Sequence, residues 1–402
     1  MGNTAADGSD AGEPAGPPPV GAGRAVALAT SVTVLTVLPM LLVGALSLPL
    51  RTELAFGPTA LGGAIGVFRA SGALAAGPLG RVADRIGAAR AMRRAVAMAV
   101  VGTLGISVLS RSWITLAIGL ALCGAASSFG QTAANRYLIR VVAQRRQGLA
   151  FGVKQAAMPT AAMLAGIMVP VLGLTLGWRS AFAASALLGL TVLLLLPAPR
   201  PGRPAVAGGR VSRSRADRLG LLVVTAALMC GMAAASTLAA FTVESAAAFG
   251  LDLATAAWLL TMGSICAIVS RVIIGLVSDR MTSGHLVLVS AMLGVGSLGY
   301  LLLGLGRGWS LVSGTMLAFA LGWGFNGLFW FAIVRLHRSA PGAVTGLVMP
   351  GGMSGGVLGP ILFGAIVEAS GFAAGWFTMA AFGAIGAVLM LVGRRLLLRD
   401  SE

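Results

Sequence analysis

Three basic side chains stand inside long apolar runs and are the residues of this 402-residue chain best placed to do chemistry: Arg69, Lys154 and Arg271. An ionised Arg or Lys at the centre of a hydrocarbon layer costs roughly 2.5–3.5 kcal/mol on insertion scales, so such residues face an aqueous cavity or a ligand. Lys154 is the one lysine among 29 basic residues; the other 28 are arginines. No Asp or Glu falls in the inner two-thirds of any apolar run. Cations without an internal counter-ion repel one another until an anion supplies the missing charge, and an anionic ligand meets that requirement directly. Gln155 and Pro159 lie close to Lys154, and a proline there removes a backbone hydrogen bond and frees a carbonyl.

The elements that must position these cations are apolar helices. Hydrophobic residues make up 57% of the chain and charged residues 10%, with a mean hydropathy of +0.91, against roughly 25% charged in soluble domains. About 20 apolar residues cross a bilayer as a helix. The runs at 25–50, 59–79, 94–110, 113–135, 148–173 and 178–197 give spans 1 to 6. Those at 219–243, 253–277, 286–304, 309–334, 344–368 and 373–393 give spans 7 to 12. The predicted class is an all-α membrane protein of twelve transmembrane helices in two six-helix bundles, 24–197 and 219–393. Residues 198–218 form a cytoplasmic linker, and 1–23 and 394–402 form cytoplasmic tails. The Gly-, Pro- and Ala-rich segment 1–23, with Asp7, Asp10 and Glu13, predicts disorder. It lacks the basic start and short apolar run of a signal peptide.

Charge sets the orientation. If twelve spans alternate, Arg81, Arg85, Arg90, Arg93, Arg94, Arg140, Arg145 and Arg146 fall on one side, with six arginines between 200 and 218 and Arg335, Arg338, Arg394, Arg395 and Arg399. The other side holds Arg51, Arg111, Arg179 and Arg307. Basic loops stay in the cytoplasm, so a multi-pass protein of the cell membrane with both termini cytoplasmic is predicted. The formal charge of +17 does not indicate nucleic acid, because the arginines punctuate apolar runs instead of covering one solvated face. Cys123, Cys230 and Cys266 all lie within apolar runs without metal-site or disulfide spacing and read as packing residues.

The two halves echo each other. Phe56-Gly57 recurs as Phe249-Gly250, Asp84-Arg85 as Asp279-Arg280 and Gly177-Trp178 as Gly375-Trp376, at offsets of 193, 195 and 198 residues. A duplicated six-helix unit places a solute site between halves near the midplane. After span 2 the chain reads Gly80-Arg81-Val82-Ala83-Asp84-Arg85-Ile86-Gly87-Ala88-Ala89-Arg90, and after span 8 Gly275-Leu276-Val277-Ser278-Asp279-Arg280. These loops resemble the repeated signature of the major facilitator superfamily.

The resemblance implies secondary transport by rocker-switch alternating access. It also implies gating contacts between halves at Gly80, Asp84, Arg85, Gly275, Asp279 and Arg280. Ala88 and Ala89 depart from the pattern, which usually has a basic residue there, and the second copy lacks the tail after Arg280. Plain loop charge is the alternative for these residues. In the family fold spans 5 and 8 meet across the halves. Lys154 and Arg271 each lie about six residues from the cytoplasmic end of their spans, so both sit roughly 9 Å deep.

Polar and aromatic residues on the spans that line the family's cavity extend the expected site: Thr33, Thr36, Ser128, Gln131, Asn135, Ser236 and Thr237. Trp323, Asn326 and Trp330 join them at i, i+3 and i+7 on one helical face. The expected substrate-binding set is therefore Lys154, Arg271, Arg69, Gln131, Ser128, Trp323, Asn326, Trp330, Thr36 and Ser236, around a small organic anion such as a carboxylate. Structural roles are the alternatives: Arg69 bonding carbonyls of span 11, Arg271 within span 8, and the tryptophans in packing. Span 11 carries Gly351, Gly352, Gly355, Gly356 and Gly359, read as a face for rocking against span 2 or for packing alone.

Other functions lack their residues. No Gly-Lys-Ser/Thr phosphate loop exists, and His285 and His337 fall in the expected cytoplasmic loops, outside any pocket. An enzyme, a cofactor and a metal site are therefore not expected. The rival reading is a proton-coupled exporter of drugs or natural products. Such exporters in this superfamily usually carry an arginine in helix 4 and a Gly-Pro motif in helix 5. Span 4 has no basic residue between Trp113 and Asn135, and span 5 has Met158-Pro159 without flanking glycines. Glu244 is the acid nearest the pathway able to carry a coupling proton, or else a solvated loop charge.

Overall fold

The computed structural model describes residues 21–143, 147–197, 215–281, 283–336 and 341–399. Most of the expected N-terminal tail and of the 198–218 linker, together with His337, Arg145 and Arg146, lies outside the described residues, as does the Asp279 side chain. The described chain is helical almost throughout. Span 1 is Ala22–Ala45, span 2 Pro58–Ile86, span 3 Ala88–Leu109, span 4 Trp113–Val141 and span 6 Trp178–Leu195. Span 5 is assembled from Gln147–Gln155, Ala157–Met168 and a π-helical turn, Val169–Gly173.

In the second half, span 7 is Arg215–Ala248, span 8 Leu253–Arg280 and span 9 His285–Leu305. Span 10 joins Gly308–Leu317, a π-helical turn Ala318–Trp323, and Phe325–Leu336. Spans 11 and 12 share one helical stretch, Pro341–Arg399, divided at Gly371, whose φ of 82° and ψ of 171° end the first helix. A short helix, Ser47–Leu54, comes directly after span 1.

Local chemistry sets the ends. Pro58 opens span 2 with its φ already helical and no N–H to leave unpaired. Ser112 accepts from the Thr115 N–H in a capping box that starts span 4, and Asp252 does the same for Thr255 at 3.0 Å to start span 8. The helices overrun the expected apolar limits: span 7 begins inside the expected linker, and span 12 runs on into the expected tail. The half-chain echo is imperfect at its last landmark. Gly177 precedes span 6, whereas Gly375 lies within span 12, four residues after the break at Gly371.

Each half packs on close backbone approach. A Cβ on Gly124 of span 4 would fall 2.0 Å from the Phe68 carbonyl oxygen of span 2, and one on Gly355 would fall 2.1 Å from that of Met229 in span 7. Gly351 and Gly359 likewise abut the carbonyls of Thr225 and Ala233. The glycine face of span 11 thus serves mainly its own half. Of the five glycines Gly356 meets span 2, at Arg69, so in this state the stripe packs chiefly within its own half. Burying small residues lets backbones approach where lipid would otherwise compete with packing.

Span 1 meets span 7, span 2 meets span 11 and span 5 meets span 8 across the halves, and the short helix Ser47–Leu54 also meets span 7. Twelve spans return the chain to the face on which it started, here named the terminal face; the opposite face is the distal face. The halves meet at the distal end. A Cβ on Gly62 would lie 2.1 Å from the Pro360 carbonyl oxygen, one on Gly364 2.4 Å from that of Pro58, and one on Gly44 2.7 Å from that of Ala240. At the terminal end a Cβ on Gly80, Gly152, Gly275 or Gly346 would meet nothing within 4 Å. The halves are therefore in close backbone contact at the distal end, a contact that these four terminal-end glycines do not make.

Candidate functional site

Lys154 is held at a break in span 5. The first segment ends at Gln155, the Ala156 N–H bonds back only three residues to the Val153 oxygen at 3.0 Å, and the helix resumes at Ala157. Pro159 accounts for this loosening, because it has no N–H to offer the carbonyl four residues earlier. Lys154 is 3% exposed. Among the described residues it makes no ion pair or hydrogen bond. Its segment touches span 8, the span that carries Arg271.

Arg271 is partly engaged. Its Nη2 donates to the Trp323 carbonyl at 3.3 Å and its guanidinium lies 5.5 Å from the centre of the Trp323 ring, a cation–π arrangement. Its Nη1 is buried without a partner. Trp323 is 2% exposed and stands edge-on to Phe319. Arg69 crosses from span 2 to span 11, where a Cβ on Gly356 would come 3.0 Å from its Cδ, and its Nε is buried without a partner. The ion pairs among the described residues are Arg51–Glu244, Arg136–Asp84 and Arg179–Glu53. None of the three membrane cations belongs to them.

The polar residues divide by what their oxygens meet. Ser236 Oγ, Asn326 Oδ1 and Asn135 Oδ1 are buried without partners. Thr33, Thr36 and Thr237 instead donate to the carbonyls of Ala29, Val32 and Ala233 in their own helices, at 2.9, 2.9 and 2.8 Å, which leaves each hydroxyl only as an acceptor. Gln131 Nε2 donates to Ser127 Oγ at 3.1 Å. Half-buried Ser128 lies at the contact with span 2, 3.8 Å from where a Cβ on Gly72 would sit. Partly buried Trp330 is edge-on to Phe329. The expected i, i+3, i+7 register of Trp323, Asn326 and Trp330 is interrupted, because the π-helical turn ends at Trp323 and a new α-helix starts at Phe325. A π turn adds one residue per turn and re-aims the side chains beyond it.

At the terminal face Asp84 pairs with Arg136 of span 4, at 2.8 and 3.1 Å, and Arg136 also donates to the Gly80 carbonyl at 2.9 Å. In this state the loop acid is therefore bound within its own half. Arg136 has no distinguishing mark in the sequence, although it adjoins Asn135 at the end of span 4. Arg85 and Arg280 are exposed. His285 is not in a loop: it is the first residue of span 9, buried, with its Nε2 3.2 Å from the Ser278 carbonyl and its ring against Phe331.

Glu244 is not a solvated loop charge either. It is 1% exposed and ion-paired to Arg51 of the other half. Burial pushes the Arg51 guanidinium below its ordinary value, and the nearby Glu368 charge opposes that shift.

A bundle of twelve apolar helices in two halves, with cations inside the spans that join no ion pair among the described residues and with the halves in contact at the distal end, has the architecture of a membrane carrier. The sequence profile described as the Major Facilitator Superfamily matches residues 26–360. The chain belongs to that superfamily: it is a multi-pass secondary transporter that works by alternating access, not an enzyme. Solved structures share the fold. A bacterial homolog to the human lysosomal transporter Spinster, inward-facing and unoccupied, is 13% identical with a TM-score of 0.71, covering 94% of this chain and 98% of that one. The same homolog in an inward-facing, occupied conformation is 15% identical with a TM-score of 0.75 over the same shares of the two chains. No curated protein matches the chain.

Proposed function

We propose that this transporter moves a small organic anion, such as a carboxylate, across the cell membrane, with both termini in the cytoplasm. The observation that carries the reading is the set of cations Lys154, Arg271 and Arg69 in the spans, each without a carboxylate partner among the described residues. A charge in low dielectric needs a counter-charge or water, and a solute anion is the counter-charge that a carrier of alternating access can admit. Lys154 and Arg271 supply the attraction from opposite halves, so a bound anion draws the halves together. Trp323, Trp330 and the unpartnered oxygens of Ser236 and Asn326 suit the apolar and hydroxyl parts of such a solute, with Gln131, Ser128 and Thr36 as further polar contacts. Asp84, Arg85 and Gly80, with Gly275, Asp279 and Arg280, serve as the gate on the cytoplasmic side.

The test is uptake of a panel of organic anions into proteoliposomes. Lys154→Ala and Arg271→Ala are each expected to abolish transport while leaving the melting temperature of the purified protein near that of the parent. Undiminished uptake of every transported anion by either variant would falsify the reading. A ligand-stabilisation screen identifies the solute, since binding at about 100 times Kd raises stability by roughly 2.7 kcal/mol. Selective stabilisation by lipophilic cations would favour a drug exporter instead.

A further inference from the structure

One short helix with two opposite attachments lies at the distal closure. Ser47–Leu54 succeeds span 1 and ends at Ala55, which takes left-handed backbone angles of φ 52° and ψ 55°. Beyond this turn the Phe56 carbonyl accepts from Arg51 Nε at 3.1 Å, which fixes the arginine stem. Two residues along, Glu53 is bound to its own half: Trp178 Nε1 donates to it at 2.6 Å and Arg179 pairs with it. Arg179 in turn donates to the Ser110 carbonyl at 2.9 Å. Arg51 reaches the other way and pairs with Glu244 of span 7. Beyond that ion pair the Glu244 oxygens have no hydrogen-bond partner among the described residues. A second cross-half bond, from Thr59 of span 2 to Glu368 of span 11, lies on the same face.

We propose that the Ser47–Leu54 helix is a latch for the transport cycle, in which Glu53 fastens the helix to the first half and Arg51, by pairing with Glu244, holds the distal face closed. The physical basis is an asymmetry between states. In the closed state Glu244 is shut away from water and Arg51 supplies its compensating charge; once the halves part, water does so. Removing one partner of a buried pair leaves an uncompensated charge, and here that cost falls on the closed state alone, so the equilibrium moves to the distal-open state. Arg51→Met leaves the carboxylate bare and is expected to act more strongly than Glu244→Gln, which removes the charge itself. Arg51 is thus a positioning residue: it sets which side is open without touching the solute. The inference rests on alternating access and on no particular solute.

The experiment reads distal exposure through a cysteine placed at Ala240, which is 4% exposed where span 7 meets Gly44 of span 1. The full chain carries Ala240→Cys with Cys123→Ala, Cys230→Ala and Cys266→Ala, and a maleimide reports the labelling rate in detergent. Arg51→Met is expected to raise the rate about tenfold, equivalent to roughly 1.4 kcal/mol, and Glu244→Gln by less. Arg51→Lys keeps the charge and is expected to stay protected. The exchange of both residues, Arg51→Glu with Glu244→Arg, is expected to restore protection, the coupling signature of a direct pair. Equal labelling of the parent, Arg51→Met and Glu244→Gln overturns the latch, and so does a rise that the exchange leaves in place. A membrane-impermeant maleimide added to intact cells tests sidedness separately: a detergent response missing there overturns the cytoplasmic placement of the termini and leaves the latch standing.

Discussion

The three membrane cations differ in what already engages them. Arg271 has a carbonyl and an indole face from Trp323, Arg69 lies along the backbone of span 11, and Lys154 has neither. Residue types and their apolar settings were legible in the sequence, because a charge in a hydrocarbon run is conspicuous. Their partners were not. Glu244 looked the same in sequence whether solvated or paired, and Arg136 was one arginine among many until the fold set it on Asp84. Glu53 gives the clearest pH signature at this scale. Hydrogen bonds from Arg179 and then Trp178 hold its carboxylate below its ordinary value. A depressed carboxylate stabilises the fold above its unfolded pKa, and that contribution is lost as pH falls through the folded value. Glu53→Gln is therefore expected to lower the melting temperature at pH 7, with the gap to the parent closing as the pH drops through and below the ordinary carboxylate range. A gap that stays constant across a pH series of thermal melts contradicts the assignment.

Hydropathy placed each span but not its limits, which the helices overrun; Pro58, Ser112 and Asp252 start helices by local bonds that need no tertiary partner. The irregularities inside the helices were less visible. The break after Gln155 had its signal in Pro159, whereas the π-helical turn at Ala318–Trp323 had none, and it interrupts the register expected of the aromatic face on span 10. Glycine roles also depended on neighbours. Gly124→Ala is expected to destabilise the protein, because its Cβ would lie 2.0 Å from the Phe68 carbonyl oxygen and such overpacking costs about 1–3 kcal/mol. Gly105→Ala, where a Cβ meets nothing within 4 Å, is expected to be neutral or stabilising by up to about 1 kcal/mol from helix propensity. Thermal melts of the two variants, with Gly124→Ala lower by several degrees, check the contrast.

At the scale of the whole molecule the halves meet at the distal face, and in a carrier that works by alternating access such a closure belongs to one of two states. Contacts that exist in only this state tune the population without altering the fold of either half. Gly62→Ala would put a Cβ 2.1 Å from the Pro360 carbonyl oxygen across the two halves. It is expected to obstruct distal closure and raise labelling of the Ala240→Cys reporter, whereas Gly346→Ala, with no atom within 4 Å of its Cβ, is expected to leave labelling at the parent level. Matching rates for the two variants would show that the close approach does not limit closure.

By itself the sequence determined the membrane class, the twelve spans, the repeat of six and the superfamily, because each is written in local hydropathy and short motifs that a single segment can carry. The tertiary structure alone decided which face is shut, that Gly351, Gly355 and Gly359 of span 11 abut span 7, and that Arg51 pairs with Glu244 and Arg136 with Asp84. Those facts depend on distances between segments far apart in the chain, and apolar helices of similar composition leave such distances open until they pack.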